Sequence, residues 1–360
     1  MVGKFERAIP LVAGSLVVGM IGLAVFDPPK KDTARPKAVL ELPEMLDSFE
    51  TAAGPALPAG LVRINAPGTV AESMTDGITV KRRTKPVQAG SLHTAEALDS
   101  TFERIGYDLK SISESGAPVP RVFLASLPKD MGEIRETAKR KAIFFRTVLP
   151  LVLQANDEIR ADRERLWHLQ ALTKKGQKLP AVDRLWLIVM SERYKVKRGD
   201  IDGLLARVDV VPPSLALAQA AEESGWGTSR FSRLGNAIFG EWTFSAAAGD
   251  GIVPKEREAG KTHRVKVFKS LLHSVRAYAR NLNTHRAYRE FRKGRLAMRR
   301  DGAPISGRKL VDTLRRYSER GEEYVKTLRS IMVVNKLGRL DDARLSTGAQ
   351  AQASNNVSAI

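Results

Sequence analysis

The sequence contains no cysteine, which excludes disulfides and thiolate metal centres. Its five histidines (His93, His168, His263, His273 and His285) show no i, i+4 pair and no other ligand spacing, so no metal site is expected. Acids are scarce relative to bases. Asp and Glu number 40 against 59 Lys and Arg, a formal net charge of +19. Such a surface attracts polyanions such as nucleic acid, anionic lipid or anionic wall polymers. No nucleic-acid motif is recognisable, so no nucleic-acid partner is expected. No internal repeat is found.

A single long uncharged run stands out in the 360 residues. The stretch "AIPLVAGSLVVGMIGLAVF", Ala8 to Phe26, is nineteen residues long. At about 1.5 Å per residue it spans roughly 28 Å, near the hydrocarbon thickness of a bilayer. Lys4 and Arg7 precede it, and Asp27, Pro28 and Pro29 end it. The sequence Ala24-Val25-Phe26-Asp27 is a poor cleavage site, so an uncleaved anchor (residues 1–26) is expected over a signal peptide. The rest of the chain would then lie outside the cytoplasm, in the periplasm.

Residues 27–95 hold eight of the eighteen prolines and few sustained apolar periods. The span 27–130 reads as a Pro-rich linker, partly disordered, with 95–125 ambiguous. From Gly132 to about Leu172, apolar residues recur at three and four, the period of a helix. Pro150 is expected to kink or split it. Shorter helices follow in "AVDRLWLIVMSERY" and "DIDGLLARV". A helix starts at Pro213 with "PSLALAQAAEES", stopped by Gly225. After Gly240 the chain reads as an irregular hairpin, and from Ser270 as four amphipathic helices. Residues 341–360 read as a disordered tail behind a domain at 131–340. The fold class is therefore mainly α, with a small β-hairpin.

Residues 286–316 carry eleven Lys or Arg against three acids. A solvated helix pair and an anion-facing patch both fit this stretch.

The stretch "AQAAEESGWGTSRFSRLGNAIFGEW" places Glu222 and Glu223 at a helix C-terminus, where partial negative charge disfavours acids by a few tenths to about 1 kcal/mol. Adjacent like charges in a partly apolar place push carboxyl pKa values up, as a general acid requires. Ala216, Gln219, Ala220 and Glu223 share one face, which should be buried, while Glu222 turns toward solvent. Trp226 and Trp242 suit the faces of sugar rings, and Asn236 lies between Gly235 and Gly240 in a loop that can approach a ligand closely. An acid over an aromatic-lined groove suits glycoside hydrolysis.

These motifs, with "FFRTVLPLVLQAND", "GIVPKERE", "VRAYARNLNTHRAYREFR" and "RYSERGEEYVKTLRSIM", resemble the glucosaminidase family, glycoside hydrolase family 73, in its Bax-type branch. The resemblance runs from about residue 135 to 335. It implies a lysozyme-like, mainly helical fold and hydrolysis of the β-1,4 bond after N-acetylglucosamine in peptidoglycan or a related glycan. It implies no metal or organic cofactor. The acid before Ser-Gly-Trp-Gly is the family's catalytic glutamate and falls on Glu223. The Asn-x-x-Phe-Gly element falls on Asn236, Phe239 and Gly240, and a site tyrosine falls on Tyr317, which is expected beside Glu223 as a catalytic residue. Trp226, Asn236, Phe239 and Trp242 are thus the expected substrate-binding residues.

The family's second acid lies in the β-rich loop. Here "THRVKVF" offers His263, Arg264 and Lys266 and no carboxylate. Asp250, Glu256 and Glu258 are left as candidates, or the substrate's own acetamido group serves as nucleophile, and the stereochemistry stays open. The expected whole is a peptidoglycan hydrolase held by one helix in the inner membrane of a bacterium. Its rival is a catalytically weak or inactive wall-binding module of the same fold.

Overall fold

The computed structural model describes residues 94–244, 251–255, 257 and 260–347. The anchor segment and residues 27–93 lie outside these, as do Asp250, Glu256 and Glu258. Among the described residues, no helix is long and apolar enough to cross a membrane.

The domain is mainly helical. In chain order its helices are α1 (Ala95–Arg104), α2 (Leu109–Ser115), α3 (Thr137–Lys174), α4 (Ala181–Arg193), α5 (Ile201–Arg207), α6 (Pro213–Ser224), α7 (Arg230–Gly235), α8 (Leu271–Thr284), α9 (Arg289–Arg300), α10 (Gly307–Leu310) and α11 (Glu322–Val334). Between α7 and α8 lie the strands β1 (Trp242–Thr243), β2 (Gly251–Ile252) and β3 (Arg264–Lys266). They form one antiparallel sheet in the order β1-β3-β2, so the expected hairpin is a three-stranded sheet with β3 in the middle.

Helix α6 is the centre of the domain. Every residue from Pro213 to Ala221 is buried, so up to its last turn the helix is enclosed on all sides and not on one face alone. Helices α3, α10 and α11 and the 3-10 turn Leu337–Leu340 pack around it. Small side chains permit this. At Gly307 of α10 a Cβ would stand 2.2 Å from Ser214 Oγ, so α10 approaches α6 as closely as backbone allows. Only the last turn of α6 opens toward solvent.

Helix α3 runs unbroken through Pro150, so it is not split there. Proline removes one helical hydrogen bond, but tertiary burial holds the helix on both sides of it. Val148, Leu149, Leu151 and Val152 are all at most 2% exposed.

Two boundaries differ from those the sequence suggests. The expected linker does not extend to residue 130. Leu98, Phe102, Leu127 and Met131 join the main core, and the Asp130 carboxylate accepts from Ala95 N at 2.9 Å, capping α1. The expected tail likewise begins inside the domain. The Asp341 carboxylate accepts from Ser214 N and Gly307 N, both at 2.9 Å, so it caps α6 and α10 together. Leu345 bridges to Val119, with Ser346 N donating to Val119 O at 2.8 Å. Local composition hides these roles because the partners lie far away in sequence.

The basic stretch is in part a structural knot. Arg295 is 1% exposed and donates to the carbonyls of Asp209, Val210 and Arg207 and to Asn283 Oδ1. Arg292 donates to the carbonyls of Leu282 and His285, and Arg299 holds the Asp209 carboxylate at 2.8 Å and 3.1 Å. Burial pushes the Asp209 carboxyl up, but Arg295, Arg299 and Arg163 together outweigh it and hold it below the ordinary range. Three of the eleven cations are therefore committed to the fold, while Lys293 and Arg300 sit at the surface beside Glu290 and Asp301.

Candidate active site

Helix α6 ends as its sequence suggests. Gly225 adopts φ 56° and its N–H returns to the carbonyls of Ala221 and Glu222, a left-handed stop that glycine permits at little cost. The stop leaves Glu222 and Glu223 on the last turn with different partners.

Glu222 pairs with Arg320, whose Nη1 donates to Oε1 at 2.5 Å, and Arg320 also donates to Thr327. Glu223 lies half-buried over a floor of tyrosines. Tyr324 OH donates to Glu223 Oε1 at 2.7 Å and accepts from Gln219 Nε2 at 3.0 Å. Tyr278 OH donates to Gln219 Oε1 at 2.7 Å. The hydrogen bonds therefore run in one direction, from Tyr278 through Gln219 and Tyr324 to Glu223. With Oε1 already accepting, a proton on this carboxyl belongs on Oε2. That oxygen faces Gly240, where a Cβ would stand 3.6 Å away.

Burial pushes the Glu223 carboxyl up to about 7. The nearby charge of Glu222 adds to the rise, while the Tyr324 hydrogen bond and Arg320 oppose it. Removing water from around a carboxylate penalises its charged form, so this group holds a proton near neutral pH.

The tyrosine floor is tightly built. Tyr278, Tyr288, Tyr317 and Tyr324 are each at most 2% exposed. Tyr317 stacks on Tyr324 at 5.5 Å with ring planes 2° apart, and Phe239 stacks on Tyr278 at 3.8 Å. Tyr317 OH donates to the Phe239 carbonyl at 3.3 Å. Phe239 and Tyr317 are thus gathered at the acid, but both rings are sealed in the core. Neither offers a face to a sugar. They hold the Tyr324 ring and the Phe239-Gly240 backbone that flank Glu223.

Asn236 adopts φ 53° at the end of α7, and its Nδ2 donates to the Phe268 carbonyl at 3.0 Å. It orders the loop that carries Gly240. Trp226, at φ 60°, is half-buried against the edges of Phe144 and Phe145, with Lys141 Nζ 4.7 Å from its ring centre. It braces the turn after α6 on helix α3. Trp242 is half-exposed on β1, two residues after Gly240, and stacks on His263 at 3.9 Å.

Gln219, Tyr278 and Tyr324 are the residues that sequence reasoning missed as site residues. Gln219 left a signal, being a polar residue four before Glu223 on an otherwise alanine-rich face. Tyr324 and Tyr278 left none, because they lie 101 and 55 residues from Glu223 and meet it only in the fold. Among the described residues, no group of His, Cys, Asp and Glu is arranged to hold a metal ion.

A family model described as Glucosaminidase, mannosyl-glycoprotein endo-beta-N-acetylglucosaminidase, matches residues 202–337. The matched span begins in α5 and ends past α11, so it contains Glu223 and its tyrosine floor. Protein bax of Escherichia coli (strain K12) is 36% identical over 206 residues, which cover 56% of this chain and 71% of that protein. The chain belongs to the Bax-type glucosaminidase family. No solved structure matches it. Its glucosaminidase domain is that of a glycan hydrolase, and the one-way hydrogen-bond chain to Glu223 lies inside that domain.

Proposed function

We propose that the protein hydrolyses peptidoglycan, or a related glycan, at the β-1,4 bond after N-acetylglucosamine, with Glu223 as the general acid. The observation that carries this reading is the carboxyl held near pKa 7 with one oxygen occupied by Tyr324 and the other facing Gly240. A glycosidic oxygen is a poor leaving group until it is protonated. A positioned acid that keeps its proton at neutral pH speeds that step by roughly two to four orders of magnitude. Tyr324 fixes which oxygen carries the proton, and the Phe239-Gly240 backbone lets the substrate approach it. Trp242, half-exposed two residues after Gly240, supplies an aromatic surface for a sugar ring.

The uncharged stretch Ala8–Phe26 supports a place on the outer face of a bacterial inner membrane, where the substrate is found. The test is mass analysis of fragments released from purified sacculi by the full-length protein, after borohydride reduction of new ends. Fragments ending in reduced N-acetylglucosamine are expected. Ends in reduced N-acetylmuramic acid would move the cleavage to the other bond. Binding without release would establish the wall-binding module instead.

A further inference from the structure

The second acid of this site is missing from the strand where the resemblance directs attention, and the fold offers one elsewhere. Glu241 follows Gly240, the residue that Glu223 Oε2 faces. Its backbone carbonyl accepts from Lys266 N at 2.8 Å, which fixes it at the edge of the small sheet. Its side chain interacts electrostatically with Lys266 of β3, with Arg280 of α8 and with Tyr288 and Tyr317 of the tyrosine floor. Oε1 of Glu241 is buried and has no hydrogen-bond partner among the described residues. A buried carboxylate oxygen without a protein partner costs free energy until a water, an ion or a ligand group satisfies it.

Glu241 and Glu223 act on the same two phenols of the tyrosine floor. After burial, the charge of Glu223 and then that of Glu241 raise the Tyr288 phenol, and both also act on Tyr317. The charged groups that face Glu241 are Lys266 on β3 and Arg280 on α8, which act to lower its pKa. Burial outweighs them and pushes it up to about 7.

We propose that Glu241 is the second catalytic carboxylate of this site, the base that activates the attacking water. The inference rests on the reading of Glu223 as general acid. In the step, the Glu223 proton passes to the glycosidic oxygen. The C1–O bond breaks and its electron pair stays on that oxygen. Water adds to C1 from the opposite face and one of its protons passes to Glu241. The products are a sugar with a new anomeric hydroxyl of inverted configuration and a glycan end with a free hydroxyl. Glu223 is left ionised and Glu241 protonated, and solvent returns the proton from one to the other.

The test compares full-length wild type, E241Q, E241A and E223Q on one soluble glycan fragment, with melting temperatures measured alongside. E241Q is expected to lose at least about 100-fold in kcat with little change in KM. It is also expected to lose the acidic limb of the pH profile, since no base is left to ionise, while the alkaline limb set by Glu223 stays. Azide needs no base to attack, so it should restore turnover to E241A and give an α-glycosyl azide. If E241Q keeps wild-type kcat and both limbs while E223Q is dead, Glu241 is not the base and the proposed function stands. If E241Q is slow but keeps both limbs, and azide does nothing for E241A, its role is structural and the proposal fails. If E223Q is as active as wild type, the reading of Glu223 fails with it.

Discussion

Replacing Glu223 by Gln removes a group whose ionisation works against the fold. Burial raises this carboxyl from the ordinary 4.5 to about 7. Between those values the native state binds more protons than the unfolded chain, so stability falls as pH rises. The stabilisation is fully present below pH 4.5 and is lost as pH passes through 7. At about 1.4 kcal/mol per pH unit the rise corresponds to about 3 kcal/mol. Glu223 is only half-buried, and water at its open edge reduces this to about 2 kcal/mol. The substituted glutamine would still accept from Tyr324 and would not ionise. The variant and wild type should therefore melt together at pH 4, and the variant should melt higher at pH 8. For a domain of this size, about 2 kcal/mol corresponds to a shift of about 4–8 °C. Calorimetry of both proteins across pH 4 to 9 reads the difference directly. An offset that is constant with pH, or one that favours wild type at pH 8, would refute the reasoning.

Tyr324→Phe removes a hydrogen bond that favours the ionised form of Glu223, so the alkaline limb of the activity profile should move to higher pH, and an unmoved limb would count against Tyr324 as the orienting group. Arg295→Met, which opens the knot around Asp209, should cost about 3 kcal/mol in urea unfolding, as expected for removing one partner of a buried ion pair. Neutralising Lys293 and Arg300 should leave the melting temperature unchanged and weaken sacculus binding at low salt only, because exposed charges are screened over about 8 Å at physiological ionic strength. The protein should stay with membranes through a high-salt wash with a mature chain that begins near Met1, and a soluble form starting near residue 27 would mark a cleaved signal instead.

What the sequence made legible was local. The proline start of α6, its glycine stop and the two acids on its last turn are all set by neighbours within a few positions. The helical period carried α3 to within a few residues of its ends, but it could not show that packing overrides Pro150. Contacts distant in sequence were invisible. The Asp341 carboxylate caps a helix that begins 128 residues earlier, and Tyr324 reaches Glu223 across 101. Aromatic type alone could not separate Phe239 and Tyr317, which build the floor, from Trp242, which stays partly open. Charge counting had the same weakness. Arg292, Arg295 and Arg299 read as surface cations until their carbonyl and carboxylate partners are seen. Glu241 lay in plain view within "FGEW", with no local pattern to set it apart from a surface acid.

The most direct test of the central claim is turnover of purified sacculi by wild type, E223Q and E222Q at equal folded concentration. Glu223 is the acid oriented by Tyr324, and Glu222 is tied to Arg320. E223Q should release no soluble fragments above background while still binding the sacculus, and E222Q should keep most of the wild-type rate. Full activity in E223Q, or an inactive E222Q beside an active E223Q, would contradict the assignment of the general acid.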